Sequence, residues 1–164
     1  MALFLLHKND RSQTDPEPYK RRFGSGLVPG GRHAERAGYY LALSPDGQSW
    51  LRAGRFTPTP AELAAIRQEI HYSSDEFHRR IEDPELLRHF PNALDMSAPQ
   101  LTRPPRGYAA DDPELPWLKL KSFGVGRLFS DEEALGPDFI DRVVAGIAAA
   151  RPWVEFLNTA LHAE

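Results

Sequence analysis

Cysteine is absent from the 164-residue chain. That excludes disulfides, thiolate metal sites and a cysteine nucleophile. Long apolar runs are also missing. None approaches the roughly 18 residues a membrane-crossing helix needs. The apolar start, residues 1–6, has no basic leader and no small-residue cleavage site, so it reads as a β-strand and not as a secretory signal. No H-E-x-x-H, phosphate-loop or nucleophile-elbow pattern occurs. The six histidines are scattered. His71 and His78 lie on either side of an expected helix break, which argues against a metal pair. No cofactor is expected. Net charge is −3 rather than strongly positive, which argues against general nucleic-acid binding. These absences predict a soluble, cytoplasmic protein with no membrane association.

What is present suits one domain spanning residues 1–164. Hydrophobic residues make up 41% and charged residues 26%, enough for a core without staples. Charge is uneven. Residues 1–60 hold nine Lys/Arg against five Asp/Glu, while residues 61–164 hold eleven against eighteen. A basic front half can offer a local anion site.

The front reads as β-structure. Residues 19–28 form a candidate strand weakened by Gly24 and Gly26. Residues 38–43 and 49–56 read as two hairpin arms around Ser44-Pro45-Asp46-Gly47, where proline pre-sets the turn and glycine accepts positive φ. The middle reads as helices. Thr59 with Glu62, and Ser73 with Glu76, have capping-box spacing. Asp83-Pro84-Glu85 starts a third helix. Arg79, Arg80, Arg88 and Glu82 read as solvated faces of these helices. Residues 91–116 are irregular because proline recurs. Residues 118–129 then alternate like a strand, with Lys119 and Lys121 on one face and a bulge expected at Gly124 and Gly126. Ser130 and Glu133 form another capping-box pair. Pro137 opens a helix with an apolar stripe of Phe139, Ile140, Val143, Val144 and Ile147. Pro152 opens a last helix carrying Trp153, Phe156 and Leu157. Asn158 beyond that stripe reads as a helix-end cap or a buried hydrogen bond to backbone. Strand-turn-strand followed by helices predicts an α+β fold, a mostly antiparallel sheet packed by helices on one face.

The stretch Leu101-Thr102-Arg103-Pro104-Pro105-Arg106-Gly107-Tyr108, then Asp112-Pro113, Trp117-Leu118-Lys119-Leu120-Lys121-Ser122-Phe123 and Phe156-Leu157-Asn158-Thr159-Ala160-Leu161, resembles the bacterial family of uncharacterised proteins known as domain of unknown function 2461 (DUF2461). The resemblance implies a motif R-x-x-R-D-x-R-F-x-x-x-K-x-P-Y near the front. Aligned on Pro18-Tyr19, only Arg11, Pro18 and Tyr19 match it fully. Lys8 and Asn9 replace the Arg-Asp pair, while Leu5, Ser12 and Pro16 replace Arg, Phe and Lys. The family's helical segment ahead of this motif is expected to be missing. The resemblance carries no assigned activity.

Three functional readings follow. The first is a site for a phosphate- or carboxylate-bearing ligand or partner, built from Arg11, Tyr19, Lys20, Arg103, Arg106, Tyr108, Lys119 and Lys121. Guanidinium groups grip such anions in a bidentate manner, lysine adds a point charge, and prolines hold the loop rigid. The second is a hydrolase-type enzyme using Asp10 with Lys20 or Tyr19. The third is a structural role. In it, a partner or a second copy covers apolar surface left by the missing front segment.

Overall fold

The computed structural model describes residues 2–3, 21–31, 34–94 and 100–162. Its sheet has five strands in sequence order: β1 (Ala2–Leu3), β2 (Phe23–Leu27), β3 (Gly38–Leu43), β4 (Ser49–Arg55) and β5 (Phe123–Phe129). Every neighbouring pair is antiparallel. The helices are α1 (Pro60–Tyr72), α2 (Ser74–Ile81), α3 (Pro84–His89), α4 (Leu115–Leu118), α5 (Asp131–Leu135) and α6 (Phe139–Leu161). This is the expected α+β arrangement. Among the described residues no helix is long and apolar enough to cross a membrane.

The β3–β4 hairpin forms as its turn chemistry predicts. Asp46 and Gly47 both take positive φ, 62° and 66°. Their N–H groups donate to the Asp131 carboxylate at 3.0 and 2.9 Å, which fixes the turn on the start of α5. Thr59–Glu62 and Ser130–Glu133 are both complete capping boxes. Asp83 accepts from the N–H groups of Glu85 and Leu86 and so opens α3.

Leu51, Ala53, Phe123, Val125 and Phe129 project from β4 and β5 into the core. There they meet Ile66 and Ile70 of α1, Phe77 of α2 and the long face of α6. Trp153 and Phe156 stack at 5.9 Å, and Phe77 approaches Trp153 at 6.1 Å. Such offset contacts between large rings dominate core energetics. Asn158 does form the expected hydrogen bonds to backbone. Its Oδ1 accepts from the Ala37 N–H at 2.9 Å and its Nδ2 donates to the Ala37 carbonyl at 3.3 Å.

Four sequence expectations need correction. Residues 118–129 are not one strand: α4 ends at Leu118 and β5 begins at Phe123. Leu118 and Leu120 both reach the core through a tight turn, in which the Leu120 N–H donates to the Trp117 carbonyl at 3.0 Å. Lys119 and Lys121 therefore do not alternate across a pleat. No bulge interrupts β5, whose register with β4 is continuous. Gly124 is needed for a different reason, because a Cβ there would lie 2.2 Å from the Phe56 ring. Ser73 makes no side-chain cap. It belongs to both helices at once, donating to the Glu69 carbonyl and accepting from the Phe77 N–H, while Glu76 pairs with Arg79 and Arg80. Finally, Pro152 lies inside α6 rather than opening a helix. A mid-helix proline removes one backbone bond, but the buried face runs unbroken through Val143, Ala150, Trp153 and Leu157. Packing decides the outcome.

Candidate functional site

The proline-rich segment after residue 100 is closed at its base by backbone pairing. Gln100 bridges Leu120, and the Leu101 N–H donates to the Lys119 carbonyl at 2.9 Å. Within it the Tyr108 N–H bonds the Pro105 carbonyl at 3.2 Å, a turn that carries Arg106 and Gly107. Asp112 accepts from the Glu114 N–H at 2.8 Å and orders the approach to α4. Arg67 of α1 rivets the segment to the helical layer. Its Nε donates to the Leu118 carbonyl at 2.6 Å and an Nη to the Leu120 carbonyl at 3.1 Å.

Tyr108 packs beside this rivet. Burial pushes its phenol up, and Asp112 and Tyr72 add to the rise, against the Arg67 charge. The phenol is therefore a neutral donor at pH 7. Burial pulls Arg67 below its ordinary value, opposed by Tyr108. His71, on the last turn of α1, meets the Tyr108 ring edge-on at 5.5 Å. Its Nδ1 lies 3.1 Å from Asp112 Oδ2. The Asp112 side chain is 5% exposed and that of His71 49%. A buried carboxylate thus orients an imidazole whose other edge is accessible.

Four cations surround this cluster in sequence. Arg103, Arg106 and Lys121 are exposed and Lys119 is half-buried. None of the four makes an ion pair with another described residue. The helical arginines behave differently. Arg79 and Arg80 share Glu76, Arg88 holds Glu85 at 2.5 Å, and Arg142 reaches Asp138 and Glu133. Among the predicted ligand residues, the backbone links place Lys119 opposite Leu101, two residues before Arg103, and put Arg106 within the turn that ends at Tyr108. Arg11, Tyr19, Lys20 and Asp10 lie outside the described residues.

Sequence reasoning missed the pairing of His71 with Asp112 and the part played by Arg67. Asp112-Pro113 was visible as a motif, but nothing local links it to a histidine on α1.

A second histidine is clasped close by. His78 Nδ1 lies 3.0 Å from Glu82 and Nε2 3.0 Å from Glu114. Burial pulls its pKa down, but the two carboxylates outweigh that and raise it. The ring separates the two acids, so they do not converge on one point. Among the described residues no group of three ligand side chains is placed to hold a metal. Beside this clasp an open groove of about 410 Å³ runs past Ile81, Leu87, Leu94 and Trp117. It is apolar apart from Glu82 and Asn92 and offers no acid–base pair.

Comparisons with known proteins agree with the resemblance read from residues 101–123 and 156–161. None of the curated proteins and none of the solved structures matches the chain. The model of the family described as "Conserved hypothetical protein (DUF2461)" matches residues 1–156, and the chain belongs to that family.

Proposed function

We propose that residues 1–164 form one cytoplasmic domain that binds an anionic small molecule or partner through the segment around Arg103, Arg106, Tyr108, Lys119 and Lys121. One observation carries this reading: these four cations have no carboxylate partner among the described residues, in a protein whose helical arginines are mostly paired. An unpaired guanidinium on a rigid loop is free for a bidentate phosphate or carboxylate. The neutral Tyr108 phenol supplies a further donor in the same segment. The test is thermal stabilisation by inorganic phosphate, pyrophosphate and citrate. A ligand present at about a hundred times its Kd stabilises by about 2.7 kcal/mol. Arg103→Ala with Arg106→Ala should abolish the shift; an unchanged shift removes the proposal.

A hydrolytic reading has its own supporting observation, the buried Asp112 behind the half-exposed His71. An imidazole oriented in this way is the usual arrangement of a general base. It replaces the pairing of Asp10 with Lys20 or Tyr19 as the reading that described geometry can support. Hydrolysis of a chromogenic phosphate ester that falls about a hundredfold or more in His71→Gln would support it; equal rates would end it.

A further inference from the structure

The helices cover only part of the sheet. Buried side chains of α6 such as Phe139, Val143, Ala150, Trp153 and Leu157 face the core. At 3.6 residues per turn, Arg142 and Phe156 lie on one flank of that face, and Ile140, Val144, Arg151, Glu155 and Asn158 on the other. The first flank meets other helices: Arg142 pairs with Glu133 of α5, and Phe156 approaches Phe77 of α2 at 6.0 Å. The second flank runs along β3. Asn158 bonds Ala37 at its start, and Tyr39 feels the charges of Glu155 and Arg151.

From Asn158 back to Val144 is about 21 Å of helix, and from Ala37 to Leu43 about 20 Å of strand. Val144 therefore stands level with Leu43, which pairs with Phe23 on β2. Among the described residues no helix closes this side. Ile140 is 63% exposed, Val144 58%, Phe23 49%, and Leu27 and Leu43 42% each. The result is a groove with an apolar floor on β2–β3 and an apolar wall on α6. Two strands span about 10 Å, the width of one helix.

We propose that this groove is a homodimer interface, with α6 of a second copy lying over β2 and β3. The groove and the ridge that would fill it belong to the same surface, as a two-fold contact requires. The area fits as well. The five side chains expose on the order of 450 Å², the size of the largest apolar patch on an ordinary monomer, which is often functional. Two copies bring about 900 Å², close to the apolar share of a standard interface of roughly 1,600 Å².

Sedimentation of the full chain from nanomolar to high micromolar concentration tests the proposal. A reversible dimer is expected. Ile140→Glu with Val144→Glu should raise its Kd at least about thirtyfold, the scale of central interface residues. Both positions are exposed, and an unchanged melting temperature at low concentration checks folding. Phe23→Glu provides an independent variant from the sheet. Leu128→Glu, 61% exposed on the opposite sheet face, should leave the dimer intact. A wild-type monomer at every concentration overturns the proposal. So does a dimer that survives the α6 and Phe23 variants, or one that only Leu128→Glu dissociates.

Discussion

Two sets of positive charge divide this molecule. On the sheet–helix layer, arginines are tied down: Arg55 to Glu62 at 2.7 Å and Arg127 to Glu133 at 2.6 Å. On the segment after residue 100, Arg103, Arg106, Lys119 and Lys121 have no such partner among the described residues. Breaking a buried pair by removing one partner is costly, because the other charge is left buried and uncompensated. Unpaired exposed charges contribute little to folding, so their presence calls for a reason outside stability.

That contrast can be broken most forcefully at Glu62. Its carboxylate takes Arg55 and also completes the Thr59 capping box at 2.6 Å. Glu62→Ala should cost about 3–4 kcal/mol in urea unfolding, because a mostly buried Arg55 is left unpaired and a cap is lost. Burial pushes the Glu62 pKa up, but Thr59 and Arg55 outweigh it and the net direction is down. A carboxyl lowered in the folded state stabilises above its unfolded value and loses that contribution as pH falls through the folded one. The wild type should therefore lose stability in acid more steeply than Glu62→Ala.

Arg67 joins the two regions. Arg67→Met should cost about 1.5–3 kcal/mol, since two carbonyls at the end of the proline-rich segment lose a charged donor. It should also weaken phosphate binding, although Arg67 itself is committed to backbone. Stability loss without any change in binding would separate the two regions.

His78 is expected to give a smaller, pH-dependent effect. Its pKa is raised, so its stabilisation is complete below the ordinary value of 6.5 and fades as pH rises through the raised one. Chemical denaturation across neutral pH should show this decline in the wild type and not in His78→Gln. The smallest effect belongs to the unpaired set. Arg103→Ala with Arg106→Ala should change folding stability by less than about 0.5 kcal/mol. A larger loss would mean that these cations have structural work after all.

The legible parts of the fold were those with local causes. The Pro45-Asp46-Gly47 turn, the Thr59 and Ser130 caps and the Asp83 start each rest on residues within a few positions of one another. Errors arose where packing decided. Leu118 and Leu120 alternate like a strand yet enter the core from a turn. Pro152 looks like a helix start yet sits within a helix whose buried face tolerates it. Ile140 and Val144 extend an apolar stripe, but that stripe is wider than the surface α6 covers. The loop cations of the candidate site were visible as composition and spacing. The His71–Asp112 pair was not, because its members are far apart in sequence and carry no shared pattern.

The Asn158 clasp on Ala37 spans 121 residues. During synthesis, β3 leaves the ribosome long before its clasp exists. The hairpin and the first three helices can form early from local contacts, but α6 must be nearly complete before β3 is locked. Contacts of such separation slow folding. The last turns of α6 thus act as the closing stitch of the domain, and a chain stalled before Asn158 would leave the start of β3 unsecured.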